Sequence, residues 1–166
     1  MAGSIAKIVP NLWFASQAEE AARFYTALFP NSGIGRITRY GKAGHDMHRL
    51  EEGTVMTVEF TLNGQDFLAL NGGPLFTFSE AISFIIQCET QEEADSYWDK
   101  LTEGGDPDAQ QCGWLKDKFG VSWQVIPTEF NELMNDPDPE KSERVMEAML
   151  QMKKLDIATL KKAYGS

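Results

Sequence analysis

The sequence contains few of the residues that usually carry catalysis or cross-link an extracellular fold. Among its 166 residues there are two cysteines and two histidines. Two cysteines are too few for a disulfide framework, and no Cys-x-x-Cys pair indicates structural zinc. We therefore expect Cys88 and Cys112 to be reduced thiols.

Long apolar runs and an excess of basic charge are also missing. No stretch approaches the roughly 20 apolar residues that cross a bilayer, and residues 1–7 lack the apolar core of a signal peptide. The sequence thus predicts a cytoplasmic globular protein without a membrane partner. Its formal net charge of −10 opposes nucleic-acid binding, because neutralising phosphates requires Lys and Arg.

Three motifs that mark common enzyme classes are absent. The chain has no Gly-x-Ser-x-Gly nucleophile turn, no Walker-type phosphate loop and no Gly-x-Gly-x-x-Gly after a predicted strand. Hydrolase, nucleotide-binding and Rossmann interpretations therefore have no support.

The first part of the chain predicts one strand, one helix and three further strands. An apolar extended segment, 5–14, precedes an amphipathic helix over 18–29 with Ser16 as its N-cap. Further strands are predicted over 34–40, 54–62 and 65–70, and Asn63-Gly64 is a hairpin signal. Residues 41–48, which include both histidines, are predicted to form a loop.

The same order recurs later. A strand over 81–88 is followed by a helix over 91–101, capped by Thr90, and by a closing hairpin within 111–127 that turns at Asp117–Gly120. Matching helix positions are 73 residues apart in each case, Glu19 with Glu92 and Leu28 with Leu101. The shared order and spacing predict two βαβββ units.

The composition changes after Pro127. A break at 135–139 precedes a helix over 140–154 with a methionine-rich apolar side, and Asp156 caps a last helix over 157–164. Such a stripe predicts packing against the parent domain or a twin subunit. A surface for another partner is the alternative.

Aromatic side chains and a few polar groups suggest a concave ligand site. The predicted ligand-binding residues are Trp13, Glu59, Phe67, Cys112, Trp114, Trp123 and Gln124. Catalytic residues cannot be assigned from this set. Cys112 has only Lys116 and Lys118 nearby in sequence to lower its pKa, so a small buried hydrophobe is the alternative to a nucleophile.

The histidine segment allows two interpretations. His45 and His48, with acidic neighbours, could bind a metal ion, yet an irregular Gly-rich segment holds a coordination sphere poorly. The segment is also locally basic, which suits either an anionic ligand or a solvated loop. We predict no metal here.

Three phrases carry a family resemblance: Ala18–Tyr25, Asn71–Pro74 and Gly113–Gln124. With the repeated strand and helix order, they resemble the PhnB-like branch of the glyoxalase/bleomycin-resistance/dioxygenase (vicinal oxygen chelate) superfamily, often labelled 3-demethylubiquinone-9 3-methyltransferase. The resemblance implies an α+β fold in which two βαβββ units form a cupped mixed sheet. It implies a glyoxalase-like domain over 1–128 (units about 5–71 and 81–127), a helical extension over 129–166, and a homodimer.

Enzymes of that superfamily usually bind one divalent metal through four His, Glu or Gln side chains. The resemblance puts these positions near Val9, Ala69, Ser83 and Gln124. Only Gln124 coordinates well, and a shift of one or two residues admits Asn11 and Asn71 but no histidine or carboxylate. The methyltransferase label implies an adenosyl cofactor, whose usual Gly-rich strand-to-helix turn is absent.

We therefore expect no metal and no cofactor. The predicted function is binding of a small, partly apolar molecule in a cupped pocket, with the exact activity unknown. The alternative is a metal-dependent enzyme of glyoxalase or dioxygenase type that uses Gln124, Glu59 and a histidine, His45 or His48.

Overall fold

The computed structural model describes residues 6–166, and its contacts divide the chain into two compact units, Met1–Thr77 and Phe78–Ser166. Each unit contains one four-stranded sheet. The C-terminal helices belong to the second unit. The predicted division into a domain over 1–128 and an extension over 129–166 stays a prediction.

The first unit contains four strands and two helices. They are β1 (Asn11–Phe14), α1 (Ala18–Leu28), β2 (Gly33–Arg39), α2 (His45–His48), β3 (Val55–Leu62) and β4 (Gln65–Asn71). The strand order is β1-β4-β3-β2, and only the β1–β4 pair is parallel.

The second unit repeats the four strands and the long helix of the first, has no counterpart of α2, and adds three C-terminal helices. Its elements are β5 (Phe84–Cys88), α3 (Gln91–Thr102), β6 (Asp106–Gln111), β7 (Trp114–Lys116), β8 (Ser122–Pro127), α4 (Thr128–Met134), α5 (Pro139–Leu150) and α6 (Ile157–Tyr164). The strand order β5-β8-β7-β6, with β5 parallel to β8, matches the first sheet. The predicted α+β fold of two βαβββ units with C-terminal helices is confirmed.

Each sheet buries one face against its own helix. Along β3, Val58, Phe60 and Leu62 are buried, and Phe60 stacks on Tyr25 of α1. In the second sheet, Trp123 and Val125 are buried on the side of α3. Because side chains alternate along a strand, Glu59 and Gln124 lie on the opposite faces, which we call the open faces of the first and second sheets.

The C-terminal helices build a small core on the second unit. Ile126 of β8 packs with Val145, Leu155 and Leu160, and methionines of the predicted stripe surround this cluster. The predicted cap of α6 is confirmed, since Asp156 Oδ1 accepts a hydrogen bond from Thr159 N. Val145, Met149 and Met152 of the stripe therefore pack on their own unit, whereas Met146 and Leu150 are exposed. Helix α4 was not predicted.

Several predicted boundaries differ from the structure. The first strand begins at Asn11, and residue 5 of the prediction lies outside the described residues. Helix α5 ends at Leu150 rather than at 154, because the following segment turns to bond the β6–β7 loop through Met152 O and Lys153 O. Strand β6 escaped prediction because Asp, Pro and Gln have low strand propensity. Residues His45–His48 form one helical turn within the predicted loop.

The predicted N-cap of the first helix was wrong. Helix α1 begins at Ala18, and no side chain at its own N-cap position makes a capping bond. Ala18 N instead donates to Asn71 Oδ1 at 2.8 Å, from the end of β4. For α3 the prediction is confirmed, since Thr90 Oγ1 accepts from Glu93 N. Within residues 6–166, no helix combines the length and apolar character that a membrane span needs.

Candidate functional site

Three side chains form a row across the open face of the second sheet. The strand register places Ile85 beside Gln124, and Gln124 opposite Trp114. Ile85 is 58% exposed, whereas Trp114 and Gln124 are half-buried. The row therefore offers apolar surface on both sides of one polar group, the composition of a small-molecule site.

The amide of Gln124 is held by a neighbour distant in sequence. Gln124 Nε2 donates to Ser83 Oγ at 2.9 Å, and Ser83 immediately precedes β5. Two of the four positions implied by the superfamily resemblance thus lie together. Their side chains form one hydrogen-bonded pair. The rest of the Gln124 amide faces the open side of the sheet.

The corresponding positions in the first unit do not supply metal ligands of the superfamily type. Ala69 is buried on the side of α1, and the open-face residue that corresponds to Gln124 by register is Leu68. Asn71 is buried, its Oδ1 accepts from Ala18 N, and its Nδ2 donates to Val55 O. Across residues 6–166, no three His, Cys, Asp or Glu side chains are grouped as metal ligands. These donors do not fit a divalent metal.

A second polar row lies next to the first on the same face. Lys116 is opposite Ser122 in the register, and the Lys116 ammonium forms an ion pair with Glu80. Ser122 is only 2% exposed, and its hydroxyl has no hydrogen-bond partner within the part of the chain that the structure describes. Sequence reasoning missed this row, although Ser122 lies two residues before Gln124 and so shares its face.

The turn between β7 and β8 is fixed by one buried carboxylate. Asp117 Oδ1 accepts from Phe119 N and Val121 N at 2.8 and 3.0 Å, and Oδ2 accepts from Trp123 Nε1 at 2.8 Å. These bonds tie the two strands that present Trp114 and Gln124. Asp117 therefore positions the candidate site without belonging to it.

The predicted residues Phe67 and Trp123 lie on the helix-facing sides of their sheets. Phe67 stacks on Phe60 with ring centroids 5.3 Å apart, and the Trp123 ring lies 5.4 Å from that of Phe84. Both are buried. A ligand on either open face would not touch them.

Trp13 and Glu59, both predicted, lie on the open face of the first sheet and are already engaged. Trp13 Nε1 donates to Gly73 O at 2.9 Å, and its ring meets Phe76 edge-on at 5.0 Å. Arg36 Nη2 donates to Glu59 Oε1 at 2.9 Å. The indole N–H of Trp13 and one carboxylate oxygen of Glu59 are therefore paired within the first unit.

Cys112 lies at the β6–β7 turn rather than on a strand. Its φ is 53°, its backbone N donates to Met152 O at 2.9 Å, and its thiol accepts from Gln111 Nε2 at 3.4 Å. Cys88 is buried in the core, where burial, with a smaller effect of Glu93, raises the pKa of its thiol to about 12. The structure thus buries the Cys88 thiol and leaves the Cys112 thiol partly exposed at a turn.

The contacts of His48 are with residues close to it in sequence. Leu50 N donates to His48 Nδ1 at 3.0 Å, His48 Nε2 lies 3.3 Å from Ala43 O, and the ring lies 4.3 Å from that of Tyr40. Both ring nitrogens of His48 are therefore engaged locally. His45 is exposed on the same short helix.

An adenosyl cofactor does not fit the strand-to-helix connections that precede α1 and α3. The connections before α1 and α3, residues 15–17 and 89–90, contain no glycine. At α3, Glu93 N is bonded to Thr90 Oγ1 and Glu89 N to Glu93 Oε2. Side chains therefore occupy the amides that a Gly-rich turn would present to a cofactor.

Comparisons with known proteins give the family. The 3-demethylubiquinone-9 3-methyltransferase family profile matches residues 6–126. The structure of the PhnB protein from Bacillus cereus is 42% identical, covers 74% of this chain and 99% of its own, and has a TM-score of 0.62. Protein PA1353 from Pseudomonas aeruginosa is 20% identical over 74% of this chain and 98% of its own, with a TM-score of 0.57, and supports the fold. Comparison with curated proteins finds no match. The chain therefore belongs to the 3-demethylubiquinone-9 3-methyltransferase family, the PhnB-like branch of the vicinal oxygen chelate superfamily.

Proposed function

We propose that the protein binds a small, partly apolar molecule on the open face of its second sheet, without a metal ion. The observation that carries this proposal is the row of Ile85, Gln124 and Trp114. Two apolar side chains flank an amide that Ser83 holds in place. A ligand with a flat or branched apolar part beside one carbonyl or hydroxyl group fits this pattern.

The apolar contacts supply most of the expected affinity. Burying apolar surface stabilises a complex by about 25 cal/mol per Å², and both Trp114 and Ile85 retain exposed surface. The Gln124 amide adds orientation, since a polar group of the ligand that fails to pair with it loses its hydrogen bonds to water. Specificity is thus expected to depend on Gln124 and affinity on Trp114.

The proposal does not include methyl transfer or metal catalysis. Gln124 is the one good metal ligand among the four superfamily positions, and Leu68 stands where its counterpart would be. The homodimer that the family resemblance implies and the cytoplasmic location that the sequence predicts are retained as parts of the proposal. Sedimentation equilibrium of the purified protein measures the first of these.

The test is ligand-observed NMR with chelator-treated protein and a library of small aromatic and branched alcohols, amides and ketones. Hits are expected for the native chain, with about five- to tenfold weaker binding after Trp114→Ala or Gln124→Leu. Gln65→Leu, the same change on the first sheet, is the matched control and should leave the hits unchanged. Hits unaffected by both site variants, or a library without hits, would reject the proposal.

A further inference from the structure

The ion pair between Lys116 and Glu80 lies in the row next to Trp114 and Gln124. Lys116 is on β7, and Glu80 lies in the segment that leads into β5. The side chain of Lys116 is 24% exposed, whereas that of Glu80 is 61% exposed. The ammonium therefore sits close to the sheet, while the carboxylate reaches it from solvent.

Lys116 can readily exchange Glu80 for another anion. A lysine whose side chain is mostly buried needs a counter-ion, but an exposed glutamate regains its hydration when it leaves. The hydrogen bond from Lys116 lowers the pKa of Glu80 below its usual value, so its carboxylate remains charged at neutral pH. Glu80 thus competes at Lys116 with any anion that binds this face.

Ser122 provides a second, independent observation. Its hydroxyl is directly across from Lys116 on the same face, almost wholly buried, and without a hydrogen-bond partner in the described part of the chain. A buried hydroxyl left unpaired destabilises a protein. An oxyanion that reached Lys116 from the open face would find this donor beside it.

We propose that the Glu80 carboxylate occupies the position at Lys116 that an oxyanion of the ligand takes when it binds. The natural ligand then carries a carboxylate or phosphoryl group. This group replaces the Glu80 carboxylate at Lys116 Nζ and accepts a hydrogen bond from the Ser122 hydroxyl. Its apolar part then lies along Trp114, in the adjacent row. The inference rests on the proposed function and names the chemical class of its ligand.

The central test compares benzoate with benzyl alcohol, which has the same ring and no charge. Binding to the full chain is measured by ligand-observed NMR. Glu80→Gln is expected to tighten benzoate binding about two- to fivefold and to leave benzyl alcohol unchanged. Glu103→Gln, an exposed change of the same charge beyond the end of α3, is the matched control and should affect neither probe. Equal benzoate affinity in native and Glu80→Gln protein would overturn the proposal, as would an equal gain for benzyl alcohol.

Ser122→Ala separates a binding role from a packing role. It should weaken benzoate binding while the melting temperature stays the same or rises, because an unpaired buried hydroxyl is removed. A lower melting temperature would show that the hydroxyl is already paired and would overturn this part. Lys116→Met should abolish the preference for benzoate over benzyl alcohol, and a retained preference would also overturn the proposal.

Phenylphosphonate distinguishes the two sources of the oxyanion. If it binds more tightly than benzoate, and Lys116→Met removes that advantage, the ligand is phosphoryl-bearing; the reverse order indicates a carboxylate. Binding of benzyl alcohol without any gain for either anion rejects only this inference. If none of the three probes binds native or Glu80→Gln protein, the proposed function fails with it.

Discussion

Gly113 closes the turn between β6 and β7 with a left-handed backbone. Its φ is +84°, and an added Cβ would lie 3.0 Å from Val125 O and 3.1 Å from Ile126 Cδ1. We expect Gly113→Ala to lower the free energy of unfolding by about 1–3 kcal/mol, measured by urea denaturation. Gly41→Ala is the control, since no atom lies within 4 Å of a Cβ there. A loss of equal size in both variants would contradict this account.

The two thiols should differ in reactivity. The pKa of Cys88 is raised to about 12 by burial, so its thiol stays protonated at pH 8, and thiolate is the reactive form. Cys112 is half-buried at a surface turn. An aromatic disulfide reagent at pH 8 should therefore titrate one thiol in native protein and two in denaturant. Cys112→Ala should leave no fast thiol, and a fast thiol in that variant would show that Cys88 is accessible.

Among the elements, α1 depends on a cap from another strand. Asn71 Oδ1 accepts from Ala18 N, and Asn71 Nδ2 donates to Val55 O. We expect Asn71→Ala to cost about 1–3 kcal/mol of unfolding free energy. Ser16→Ala, at the residue that sequence alone indicated as the cap, should change it by less than about 0.5 kcal/mol. Chemical denaturation of both variants checks the assignment, and a larger loss at Ser16 would refute it.

These two caps show what the sequence could and could not reveal. Thr90 directly precedes its helix, so its role is readable from local order. Asn71 is 53 residues from Ala18, and no local pattern signals that contact. Strand β6 likewise forms through pairing with β7, not through the propensity of its own residues.

The candidate site was predictable in composition but not in orientation. Both faces of β4 carry apolar side chains, with Phe67 and Ala69 on one side and Leu68 and Leu70 on the other. Hydrophobicity alone therefore cannot tell which face packs on α1. Gln124 and Trp114 were identified from sequence, whereas the Ser122 environment depends on register between strands.

Carboxylates attach the C-terminal helices, which makes the attachment sensitive to acid. The Lys154 ammonium lowers the pKa of Asp95, a hydrogen bond from Thr159 lowers the pKa of Asp156, and the Tyr164 hydroxyl lowers the pKa of Asp136. A carboxyl group with a lowered pKa stabilises the folded state above its unfolded pKa, and this stability is lost as pH falls through the lowered value.

We therefore expect the attachment to be unchanged from neutral pH to about pH 5 and to weaken below about pH 4. Hydrogen exchange of the α6 amides measures this directly, with the α1 amides as the internal reference. Asp156→Asn should make the protection of the α6 amides depend less on pH, because it removes one of the titrating carboxyl groups. Protection of α6 that is constant down to pH 2 would contradict the prediction.

In the molecule as a whole, the residues after Asp136 complete the second unit. Val145, Leu155 and Leu160 cover Ile126 of β8, and Ile157 N donates to Gln91 Oε1 on α3. A chain that stops at Asp136 should lose more than about 3 kcal/mol of unfolding free energy, measured by urea denaturation. Removal of only Gly165 and Ser166 is the control. A shortened chain of full stability but altered oligomeric size would favour the partner-surface alternative instead.

The two units share a topology but not their chemistry. Leu68 and Gln124 occupy equivalent register positions, each beside the first strand of its sheet. An apolar residue in one unit and an amide in the other make the two open faces unequal. The duplicated scaffold thus concentrates the candidate ligand contacts on the second sheet.

The hydrogen bonds between the β6–β7 turn and the C-terminal segment also determine the order in which the two units can fold during synthesis. The first sheet is complete once Asn71 has left the ribosome. In the second unit, Cys112 N and Gly113 N donate to Met152 O and Lys153 O, and Ile126 packs against Leu160. These contacts can form only after residues 152–160 have been synthesised. Because domains form as the chain emerges, the nascent protein carries a finished first sheet and an unfinished second one. Synthesis of residues 152–160 is therefore needed before the second unit can complete its small core.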